Sequence, residues 1–88
     1  MRHAGGEALD ILEPLLVRLR AFDALRERGR GVFYVRSRAF LHFHEDPAGL
    51  FVDVRAADGH GFDRIKVSEP AGEAALLARV AAALGPQS

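Results

Sequence analysis

The spacing of apolar residues changes twice along this chain, and the changes divide it into helix, strands and helix. From Glu7 to about Arg28, Leu9, Leu12, Leu16 and Leu19 recur at intervals of three and four, and Leu15, Phe22 and Leu25 widen the stripe. That is the period of a helix with one buried face. Pro14 interrupts it, because proline has no N–H and clashes with the carbonyl four residues back, here that of Asp10. The pattern therefore predicts a kinked helix or a helix pair, and the preferred form is a short helix followed by a longer one starting at Pro14. Gly29 and Gly31 are expected to end the helical region. Residues 1–6 carry no periodic pattern and are expected to be disordered.

From Val32 the period falls to two. Val32–Val35, Ala39–His44, Leu50–Arg55 and Phe62–Val67 read as strands. Turns are expected at Arg36–Arg38 and Glu45–Ala48, and a loop with Asp-Gly turn chemistry at Ala56–Gly61. Ser68 is expected to cap a last helix, with Glu69 and Pro70 in its first turn and Leu76, Leu77, Val80 and Leu84 as its inner stripe. Gly85-Pro86 would stop it, leaving 86–88 as a tail. The predicted fold is α+β: a two-layer sandwich in one domain spanning 1–88, with an N-terminal helix or helix pair, a four-stranded antiparallel meander and a C-terminal helix.

Register decides which residues meet. Turns of three and four residues place Phe33, Val35, Ala39, Leu41, Phe43, Leu50, Val52 and Val54 on the helix side, joined by Ile65 and Val67. The other face then carries Tyr34, Phe40, His42, His44, Phe51, Asp53 and Arg55, with Phe62, Arg64 and Lys66 beyond. A slip of one residue would exchange the two faces. This outer face is mixed rather than purely solvated. Its aromatic residues mark it as an interaction face, and a homodimer through it is the favoured partner arrangement.

Candidate chemistry lies in Ala39-Phe-Leu-His-Phe-His-Glu-Asp46, which holds two of the chain's four histidines. His42 and His44 share one strand face, and the predicted register sets Asp53 diagonal to His42. Two imidazoles and a carboxylate suit a divalent metal, with Glu45 or Asp46 as an alternative acid and Asp58 or His60 as further donors. His-x-His also begins the cupin signature. That signature needs a glutamate four or five residues on, where this chain has Ala48 and Gly49. No catalytic residue is assigned: Ser37, Ser68 and Ser88 occupy a turn, a cap and a tail, and no oxyanion site accompanies them.

Composition adds limits. With 88 residues the chain is near the small end of what folds alone. Without cysteine it has no disulfide and no thiolate metal site, which leaves oligomerisation, a His/carboxylate site or close packing to supply stability. No apolar run approaches the ~20 residues of a membrane span, and no membrane partner and a cytoplasmic location are expected. The net charge is zero but unevenly spread: residues 1–44 hold eight arginines against five acids (+3), and residues 45–88 hold four basic residues against seven acids (−3). Arg30, Arg36 and Arg38, within the arginine-rich stretch 26–38, are the candidate nucleic-acid contacts, a reading that the neutral overall balance disfavours.

The stretch Gly31-Val-Phe-Tyr-Val-Arg-Ser-Arg-Ala-Phe-Leu-His-Phe-His-Glu-Asp, with Gly49-Leu-Phe-Val-Asp-Val-Arg after it, resembles a family of small uncharacterised bacterial proteins built around a Phe-Leu-His-Phe-His-Glu-Asp core. The resemblance runs from about residue 10 to 84. It implies a stand-alone bacterial cytoplasmic protein and brings no activity that could be carried onto His42, His44 or Asp53. The resulting expectation is a small non-enzymatic interaction protein that self-associates, with divalent-metal binding and nucleic-acid binding as the alternatives.

Overall fold

Two helices cover one face of an antiparallel sheet, as expected of an α+β fold, but the sheet has six strands rather than four. The computed structural model describes residues 1–85; the expected tail at 86–88 lies outside them. In chain order the elements are β1 (Arg2–His3), α1 (Gly6–Arg20), β2 (Arg26–Gly29), β3 (Val32–Val35), β4 (Arg38–Asp46), β5 (Gly49–Arg55), β6 (Phe62–Lys66) and α2 (Pro70–Leu84). The sheet order is β2-β3-β4-β5-β6, and β1 also pairs with β4.

The first helix is one element and not a pair, with Pro14 inside it. Pro14 and Asp10 both lie on its solvent side, where water can serve the carbonyl that loses its partner. The helix stops at Arg20, earlier than the apolar stripe suggests. Phe22 and Leu25 are core residues, but they reach the core through successive tight turns, in which Phe22 N–H donates to Leu19 O and Leu25 N–H to Phe22 O. Residues 26–28, expected to be helical, instead form with Gly29 the edge strand β2 against β3, and Gly29 to Gly31 close a hairpin. Arg2 and His3, expected to be disordered, pair with Glu45 and His44 of β4.

The turns expected to hold three and four residues are both tighter. Val35 pairs with Arg38 across Arg36-Ser37, and Asp46 pairs with Gly49 across Pro47-Ala48. The second change shifts the β4–β5 register by two, so the faces survive, and His42 lies directly opposite Asp53 rather than diagonal to it. Along β3 and β4 the register slips between Phe33 and Tyr34, leaving an extra residue on β4. This bulge turns Phe40 inward beside Leu41. Phe40 is only 9% exposed and belongs to the core, so it leaves the predicted outer face.

Leu12, Leu15, Leu16 and Leu19 of α1 meet Phe33, Leu41, Phe43, Val52 and Val54 of the sheet and Leu76 and Val80 of α2 in one cluster. The second helix begins at Pro70 after Glu69 as its N-cap, not Ser68, and no side chain caps it. Its start is fixed by packing: a Cβ on Gly72 would collide with the carbonyl oxygen of Lys66. No helix among the described residues is long and apolar enough to cross a membrane.

Candidate metal centre

Regular alternation beyond the bulge sends His42 and His44 to the face of the sheet opposite the helices. Pairing then brings their neighbours alongside. One row across the sheet reads His42, Asp53, Arg64, and the next reads His3, His44, Phe51, Lys66. His42, His44 and Asp53 each offer a ligand atom within 4.8 Å of the others. Among the described residues this is the one such group, and it could hold a metal ion.

All three side chains are largely covered despite lying on the open face. His42 is 20% exposed, His44 13% and Asp53 14%. The cover comes from neighbouring rings: Phe62 meets His42 edge-on at 5.3 Å, and His3 lies 4.9 Å from His44 and 5.7 Å from His42 between ring centroids. The Arg55 guanidinium in turn covers Phe62.

Asp53 is the centre of the electrostatics. Arg64 donates to both of its oxygens, Nε to Oδ1 at 2.7 Å and Nη2 to Oδ2 at 2.9 Å. That pair holds the Asp53 carboxyl below the usual carboxylate range, against the opposing effect of burial. His44 Nε2 lies 3.1 Å and His42 Nε2 3.8 Å from the same Oδ2. His44 Nε2 is nevertheless buried without a hydrogen-bond partner. Burial, and then the proximity of His44, push His42 below the ordinary imidazole value while Asp53 pulls the other way. An ionised carboxylate and a neutral imidazole are the protonation states a metal requires.

The other sequence candidates stand elsewhere. Glu45 falls on the alternate side of β4, where it accepts from Arg2 and from Gly5 N–H at the start of α1. Those bonds, the Gly5 one foremost, lower its pKa. Asp58 accepts from His60 N–H within the 56–61 loop. Tyr34 lies under the Arg28 guanidinium. Arg55 donates to Ala39 O and Gly59 O. Of the candidate nucleic-acid contacts, Arg30 is paired with Asp10 and Glu13, Arg38 donates to Gly59 O, and Arg36 stands exposed in a hairpin turn. Two residues of the cluster escape a reading of the sequence for site residues. Arg64 follows from the β5–β6 register, and His3 sits in a two-residue strand with no periodic signal. Comparison with family models, curated proteins and solved structures finds no match to this chain.

Proposed function

We propose that this is a small divalent-metal-binding protein, holding an ion of the zinc class through His42, His44 and Asp53 on the open face of its sheet. The observation that carries the proposal is the approach of His44 Nε2 to Asp53 Oδ2 without a hydrogen bond between them. With one nitrogen from each of His42 and His44 and one oxygen of Asp53 all within 4.8 Å of one another, a shared cation would satisfy the three at once. Two ligands bound tetrahedrally at ordinary zinc distances stand about 3.3 Å apart, and the separations of 3.1 and 3.8 Å bracket that value. Imidazole nitrogen favours zinc and its neighbours over magnesium or calcium. Arg64 donates to both Asp53 oxygens, and Oδ2 is the one that lies within 4 Å of both imidazole nitrogens. Zero cysteine accords with the cytoplasmic setting that belongs to the proposal.

Calorimetric titration of the metal-free protein with zinc tests this. The expected result is saturable 1:1 binding that His44→Ala and Asp53→Ala each abolish or weaken by more than about tenfold. Binding that survives both substitutions unchanged would overturn it.

Self-association is a second reading, supported by Phe62, which stays 40% exposed on the same face. Sedimentation at rising concentration tests it: a dimer that Phe62→Asp converts to monomer supports this reading, and a monomer throughout removes it.

A further inference from the structure

His3 stands outside the tight three-donor group, yet it faces that group from a third strand. Its Cα partner is His44. The three imidazoles of His3, His42 and His44 have centroid separations of 4.7, 4.9 and 5.7 Å. Three imidazoles bound through nitrogen to one tetrahedral ion at about 2.0–2.1 Å have centroids about 5 Å apart. The rings of all three histidines are therefore already spaced as ligands to a shared ion. Of the three, His3 alone is exposed, so its ring is free to turn and bring a nitrogen inward.

The backbone around His3 accounts for its position. Arg2 donates to Glu45 through Nε and Nη2, and Ala4 N–H donates to Phe43 O. Gly5 N–H donates to the other oxygen of Glu45. Glu45, on the far side of β4 from the histidines, therefore secures the residues on either side of His3 while His3 faces the cluster.

We infer that His3 is a third imidazole ligand, so that the ion is held by His3, His42, His44 and Asp53, and that binding fastens β1 to β4. This inference rests on the metal-binding reading above and adds to it a fourth donor and a coupling to the N-terminal strand. A donor set of three imidazoles and one carboxylate is four-coordinate and leaves no position that the protein does not fill.

Cobalt(II) is the probe, because its visible absorption is strong in four-coordinate and weak in five- or six-coordinate sites. The full chain, metal-free, is titrated with cobalt as wild type, His3→Ala, His3→Cys and His44→Ala. The expected wild-type spectrum is strongly four-coordinate. His3→Ala should bind at least about tenfold more weakly, as the loss of even an outer partner does, and its visible bands should fade as water replaces the imidazole. His3→Cys should restore the four-coordinate bands and add a thiolate charge-transfer band in the near ultraviolet. If His3→Ala binds with wild-type affinity and spectrum while His44→Ala does not bind, the role of His3 is overturned and the metal site stands. If the wild type itself binds no cobalt, both fall.

Discussion

At Phe40 and Phe62 the same substitution has very unequal consequences. Phe40 is in the core, and Phe62 is 40% exposed beside His42 and Arg55. Phe40→Asp is expected to cost more than the about 3–5 kcal/mol of a buried Phe→Ala change, since it adds an unpaired buried charge. Phe62→Asp is expected to cost about 1 kcal/mol or less and leave the fold intact. Urea denaturation of the two variants checks this. The difference is hidden in the sequence, where strict alternation puts Phe40 on the face of His42. Nothing in Ala39-Phe40-Leu41 announces the bulge, which lets two successive large apolar side chains both enter the core. His42, His44 and Asp53 are legible because they lie beyond the bulge, where a register error of two residues leaves every side chain on its proper face.

Element ends are harder to read than element types. Phe22 and Leu25 continue the spacing of α1 because tight turns, like helices, bring every third or fourth residue to the same side. No glycine or proline marks the stop at Arg20, and β2 has too few apolar residues to signal a strand. Side-chain bonds hold this junction: Arg20 pairs with Glu13 of α1 and Glu27 of β2, and Glu27 also accepts from Gly31 N–H. The Arg20 bond above all lowers the Glu27 pKa from its ordinary 4.5. A carboxylate depressed in the folded state stabilises above its unfolded value, and that contribution is lost as pH falls from about 4.5 through the folded pKa. Melting curves between pH 7 and 3 should therefore show a smaller acid loss for Glu27→Gln than for wild type. The difference should stay within about 1 kcal/mol for so exposed a partner as Arg20. The β3–β4 hairpin invites a gain. Arg36 and Ser37 adopt φ of 51° and 71°, which suits Asn-Gly far better than Arg-Ser. Arg36→Asn with Ser37→Gly should raise stability by about 0.5–2 kcal/mol, measured by urea denaturation.

For the molecule as a whole, the ratio of core to surface sets how much an ion would matter. A chain of 88 residues buries a smaller share of its surface than a larger domain does. Zinc at about 100 times its Kd adds about 2.7 kcal/mol to the folded state. For a chain of this size that corresponds to a rise in Tm of roughly 10–20 °C. Calorimetric melting with and without zinc should show such a rise, its reversal by a chelator, and its absence in His44→Ala. An unchanged wild-type Tm at saturating zinc would count against the site.

One edge of β4 is shared by two short neighbours: β3 reaches His42, and β1 takes over at His44 and Glu45. The two-residue β1 can lift away without the rest of the molecule unfolding, whereas β3 lies between β2 and β4 with Phe33 in the core, so the two halves of that edge open separately. Amide hydrogen exchange would resolve them. Protons buried between β3 and β4 exchange only through large openings. Those around residues 2–5 exchange through the release of a two-residue strand, so their slowing when the histidines gain an ion would report the fastening of β1 itself, while slowing between β3 and β4 would report stabilisation of the whole fold.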